Sequence, residues 1–209
     1  IADSCQWSAQ ILHKLLGFAG PMFLVSVLAG SGTWIVGRMI LASTGALEFS
    51  AYSIGLQWFA LGSLLPGMVA RVMLPRLVRN RGRDSRRIMK LSVLISIAPA
   101  FVLAVVGFLI SPWLIAIYGQ SYRDYSQIIP AFLVISTFSA PINSIGNGIL
   151  ANDGQLQWLG VTAASLSILI LSFATFPTQS SWFAAASHML STTTMLAMAV
   201  RLGRIGSLI

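Results

Sequence analysis

Acidic side chains are nearly missing from this sequence, which holds five Asp and Glu among 209 residues, and cysteine is limited to Cys5. A lone cysteine excludes both a disulfide framework and a thiolate zinc cluster. With His13 and His188 it makes up the whole set of soft metal ligands, and no two of the three have the close spacing of a zinc site, so neither a metal nor a cofactor is expected. Charge of either sign is scarce as well, at 9% of residues against about 25% in soluble domains. Such a chain cannot cover itself with a water-facing surface. The HExxH signature, the nucleophile elbow and the phosphate-binding loop are all missing, so no enzyme is expected. Asp3, Glu48, Asp84, Asp124 and Asp153 fall in tails or connections. The paired intramembrane carboxylates of many proton-driven machines are therefore absent.

What fills the sequence is apolar text: 56% hydrophobic residues and a mean hydropathy of +0.82. Lipid is the solvent this composition fits. Because the period-2 alternation of barrel strands is absent, the apolar runs read as helices, the other structure that satisfies its own backbone in hydrocarbon. Each crossing needs about 20 residues, and six runs qualify, at about 16–41, 51–73, 91–110, 126–150, 156–176 and 181–200. The expected fold is all-α, a polytopic membrane protein with one bundle of six transmembrane helices and no separate soluble domain. The first run is longer than a signal-peptide core and is expected to stay in the protein. Ser111-Pro112 marks an expected kink after the third span, and Pro130, Pro141, Asn143, Gly146, Asn147 and Gly148 break up the fourth. The chain opens on Ile1 rather than Met, so a longer native chain is expected, either with a preceding helix bundle or as a half that pairs with a second copy.

Of thirteen basic residues, eight lie from Arg71 to Lys90, all but Arg71 in what reads as a loop over 74–90 that carries Arg76, Arg79, Arg81, Arg83, Arg86 and Arg87. A block of this kind between apolar spans points to a membrane surface, not to nucleic acid. Taking alternate connections, eleven Lys and Arg collect on one side and Arg123 stands alone on the other. By the positive-inside rule both termini and the basic loop belong to the cytoplasm, in a multi-pass protein of the plasma membrane.

Few residues offer themselves for ligand contact. Arg38 is the one basic residue well inside an apolar span, where insertion costs roughly 2.5 to 3.5 kcal/mol at the bilayer centre. Two readings stand open: a cavity-facing cation that grips phosphate or pyrophosphate through its planar fork of donors, or a side chain snorkelling to the outer headgroups from about one turn inside the span's end. Arg123 belongs to the segment Tyr118-Gly119-Gln120-Ser121-Tyr122-Arg123-Asp124-Tyr125, suited to sugar contact and equally to an interfacial aromatic belt. Asn143 and Asn147, four apart on one helical face, line a polar path or join helices through their amides. The basic loop gathers anionic heads at a cytoplasmic entrance or only fixes topology against anionic lipid. His188, alone among Ser and Thr, reads as a buried hydrogen-bonded residue before it reads as a ligand or proton relay.

The order of these features carries a resemblance. Gly20-Pro21-Met22-Phe23, Trp34-Ile35-Val36-Gly37-Arg38, Ala51-Tyr52-Ser53-Ile54-Gly55, Val72-Met73-Leu74-Pro75-Arg76-Leu77 and Leu114-Ile115-Ala116-Ile117-Tyr118-Gly119-Gln120-Ser121-Tyr122 follow one another along most of the chain. The chain resembles the C-terminal half of a Wzx-type polysaccharide transporter, the O-antigen and exopolysaccharide flippases of the multidrug/oligosaccharidyl-lipid/polysaccharide superfamily. The resemblance implies one lobe of a two-lobed transporter in a bacterial inner membrane, with a polyprenyl-diphosphate-linked oligosaccharide as partner and flipping by alternating access for cell-surface polysaccharide synthesis. It also implies a role for Arg38 as substrate-phosphate contact. Where members of the family often carry an acid before this arginine, Gly37 stands here, so Arg38 has no ion pair with its neighbour. A multidrug or cation exporter of the same superfamily and a non-transporting membrane subunit of a glycan-assembly complex are the competing readings.

Overall fold

A computed structural model describes residues 9–79, 83–175 and 180–205. Six helices follow in order, α1 (Ala9–Ser43), α2 (Ala46–Arg79), α3 (Arg83–Tyr118), α4 (Ile128–Leu150), α5 (Gln155–Thr175) and α6 (Ser181–Ile205), with a short 3-10 helix, Gln120–Tyr125, before α4. No strand occurs among the described residues. All six helices are long and apolar enough to cross a membrane. The protein is an all-α, multi-pass membrane bundle.

The apolar stretches of these helices are Leu15–Ser43, Ala46–Met73, Arg87–Tyr118, Ile128–Leu150, Gln155–Thr175 and Ser181–Leu202. The expected spans fall within a few residues of them except at the third, which runs on past Ser111-Pro112 to Tyr118. A proline leaves the carbonyl four residues earlier without its usual partner. For Pro112 that is Phe108, and the Ser111 hydroxyl donates to the Phe108 carbonyl at 3.1 Å, so the helix continues.

Residues 74–79 and 83–90 of the expected loop are helical. Helices α2 and α3 have 34 and 36 residues, about 50 Å each at 1.5 Å per residue, against about 30 Å of hydrocarbon. They run on past the apolar stretches to Arg79 and from Arg83, because Arg and Lys are good helix formers whose charge ends a membrane span without ending a helix. Among the six basic residues expected in that loop, Arg76, Arg79 and Arg87 are exposed on helix, Arg83 and Arg86 belong to the first turn of α3, and Arg81 lies outside the described residues.

The bundle is built around α4. Two thirds of its span, 67%, is buried inside the protein, against 6% for α1; α4 packs on α2, α3 and α6, while α1 leans mainly on α5. Without a hydrophobic force between helices in lipid, close packing of small against large residues holds such a bundle together. Phe132 and Ser136 of α4 occupy the places where a side chain at Gly55 and Gly62 of α2 would stand, and Leu133 does the same at Gly107 of α3. Hydroxyl pairs tie the same seams. Ser144 of α4 meets Ser92 and Ser96 of α3 at 3.1 and 3.2 Å, and Ser165 of α5 meets Ser191 of α6 at 2.7 Å.

Tight turns fix the ends. α1 stops where Gly45 takes a φ of 94° and its N–H reaches back to the Ile40 carbonyl at 3.3 Å, a left-handed cap that glycine adopts without strain. At the same end of the bundle Glu48, in the first turn of α2, accepts three hydrogen bonds: from the Tyr125 hydroxyl at 2.9 Å, the Ser181 N–H at 2.8 Å and the Ser181 hydroxyl at 2.6 Å. One carboxylate thus joins the starts of α2 and α6 to the segment before α4.

Candidate functional site

The site grows from two helix faces. On α1 the residues Thr33, Trp34, Gly37 and Arg38, and on α2 Phe49, Tyr52, Ser53 and Leu56, stand at intervals of three and four, which places each set on one side of its helix. Together they line a partly open recess of about 270 Å³. Gly37 lets the helices meet, since a Cβ there would stand 3.0 Å from the Phe49 ring. Its small size is what admits the Phe49 ring.

Arg38 is exposed and its guanidinium carbon lies 5.9 Å from the centroid of the Trp34 ring, within the range of a cation–π contact. Among the described residues it forms no ion pair. Ser53 is half-buried in the recess, and Gln57, one turn further along α2, is exposed. Arg38 and Ser53 therefore share the recess, and Gln57 extends the polar strip of α2 from Ser53 by one turn, among exposed apolar residues such as Trp34 and Leu61.

Tyr52 closes the recess from inside. It is 1% exposed, its hydroxyl is 2.9 Å from His188 Nε2 on α6 and 3.4 Å from the Thr33 carbonyl on α1, and its ring meets Phe132 edge-on at 5.9 Å. His188 is thus a hydrogen-bonded histidine packed against the rings of Tyr52 and Phe132.

The other sequence candidates lie elsewhere. Asn147 donates to the Ala70 carbonyl of α2 at 2.8 Å, near the ends of α2 and α4 remote from Ser43 and Glu48. That amide is spent on helix packing, and Asn143 is half-buried one turn earlier on the same face of α4. Arg123 is exposed on the 3-10 helix and is not among the residues lining the recess. Beside it the Tyr125 hydroxyl is pushed up to about 12, by burial first and then by its bond to Glu48 and the charges of Glu48 and Asp124, so it remains a donor at neutral pH. The structure brings none of Asn143, Asn147 or Arg123 to Arg38. What it adds is Trp34, Tyr52, Ser53 and Gln57, whose signal in the sequence is their shared helical spacing with Arg38 and within α2.

No group of three or more His, Cys, Asp or Glu among the described residues is placed to hold a metal. Comparisons with protein-family models, with curated proteins and with solved structures give no match to this chain.

Proposed function

We propose that this multi-pass protein moves a lipid-linked anionic oligosaccharide across the bacterial inner membrane by alternating access, acting as one six-helix lobe of the transporter. The observation that carries the reading is Arg38, an exposed cation without an ion pair inside an apolar span, sharing a recess with Ser53, from which Gln57 extends the polar strip of α2. A guanidinium and a mid-span amide facing hydrocarbon would each be costly. A hydrated cavity between lobes relieves both, and a diphosphate supplies oxygens that match the guanidinium fork. The sugar then lies in the cavity while the polyprenyl tail stays in the bilayer, and the sequence resemblance points to the same cargo. Eleven basic residues on one side orient both termini and the ends of α2 and α3 toward the cytoplasm, so the recess opens nearer the outer leaflet.

A cation exporter fits less well. The one carboxylate within the described spans, Glu48, is already engaged by three donors.

The test uses single cysteines at positions 38, 53 and 57 in a Cys5→Ser background, treated with membrane-impermeant thiol reagents from either side, together with a flipping assay on Arg38→Gln. Labelling at all three positions, and transport lowered about 10- to 100-fold as a charge-assisted phosphate contact is lost, are expected. Positions closed to reagent from both sides, or full transport by Arg38→Gln, would refute the reading.

A further inference from the structure

The basic ends of α2 and α3 are set in place by the C-terminal turn of α4. Asn147 binds the Ala70 carbonyl next to Arg71, and Gly148 leaves the space that Met89, next to Lys90, occupies. Both charged helices are thereby seated on the same turn of α4. Arg71, Arg76 and Arg79 on α2 and Arg87 and Lys90 on α3 are all exposed, and among the described residues none of the five forms an ion pair.

Each helix continues its charged end into an apolar strip. On α2, Val72, Arg76 and Arg79 share a face at intervals of four and three, and Val72 is 62% exposed; on α3, Arg87, Lys90 and Leu94 share a face, and Leu94 is 67% exposed. Cation at the headgroup level above apolar surface at the acyl level is the complement of an anionic phospholipid. A soluble acidic partner would leave the apolar half of each strip without a counterpart.

We propose that the paired ends of α2 and α3 form a binding site for one anionic phospholipid carrying two phosphates, one phosphate held at each helix end. The cations are divided between two helix ends, and one ligand with two phosphates can engage both ends at once where a singly charged lipid engages one. This site is independent of the transport reading, since it lies at the other end of the bundle from Arg38.

The full chain in a zwitterionic detergent, titrated with cardiolipin or with phosphatidylglycerol and followed by native mass spectrometry, tests it. Cardiolipin adducts should exceed phosphatidylglycerol adducts at equal phosphate. Arg76→Gln with Arg79→Gln, and separately Arg87→Gln with Lys90→Gln, should each weaken cardiolipin binding about thirtyfold, at about fivefold per basic residue. Unchanged thermal unfolding in lipid-free detergent shows that these variants still fold. Equal retention of the two lipids, cardiolipin binding that survives either pair of substitutions, or displacement of the lipid by inorganic phosphate at matched concentration would each overturn the proposal.

Discussion

Arg38 holds its position through its neighbours, and each of them can be varied alone. Removing the ring under the guanidinium in Trp34→Ala takes away a contact of about 0.5 to 1 kcal/mol. Under the proposed function, the apparent affinity for a polyprenyl-diphosphate substrate should fall about two- to fivefold in reconstituted vesicles, while Trp34→Phe retains most of it. Gly37→Val drives side-chain atoms into Phe49, and overpacking of this kind costs about 1 to 3 kcal/mol. A lower unfolding temperature in detergent, together with loss of thiol labelling at position 53, is the expected result. At this scale the sequence is readable in part. The spacing of 33, 34, 37 and 38 and of 49, 52, 53 and 56 is plain in the order of residues alone, and so is the oddity of an arginine in an apolar run. The use of Asn147 is not, because its acceptor is a backbone carbonyl on another helix, and a side-chain pattern carries no trace of a carbonyl's needs.

Among the elements, hydropathy locates all six helices and misjudges their ends. It marks where lipid stops, whereas a helix stops at a cap such as Gly45 or Gly119, both at positive φ. Between Met73 and Arg87 those two boundaries separate, which is why charged helical ends read as a loop. The seams between elements make their own prediction. In α3, Gly107→Leu would compete with Leu133 for one space and should destabilise the fold by about 1 to 3 kcal/mol, whereas the same change at Gly67, which has open space around it, should be nearly silent in a thermal unfolding assay. At the other end, Glu48→Ala leaves the Ser181 N–H and the Tyr125 hydroxyl without their acceptor and removes a negative charge from the start of α6. About 1 to 2 kcal/mol of stability should be lost, and Glu48→Gln, which keeps an acceptor oxygen, should lose less.

Across the whole molecule the least legible feature is the central place of α4. Its span and that of α1 have the same mean hydropathy, yet one is buried in the protein and the other faces outward. In a membrane both environments are apolar, so hydrophobicity alone cannot report which helix is inside. The glycines and hydroxyls that break up α4 are the available sign, since backbone irregularity at membrane depth is tolerated where neighbouring helices enclose it. The difference should appear in hydrogen exchange in detergent: amides of α4, enclosed by three helices, should be the slowest, and those of the first half of α1 the fastest. Equal protection along both helices would contradict this packing.

The reach of Glu48 also bears on how the chain is made. Its partner Ser181 stands 133 residues downstream, so α2 has left the ribosome long before α6 exists. During that interval the carboxylate waits at the membrane surface with its partner on α6 still unsynthesised, and the hairpin of α5 and α6 is what completes the set. A chain cut short before α6 would keep an unspent acceptor there, a mark by which unfinished copies differ from finished ones.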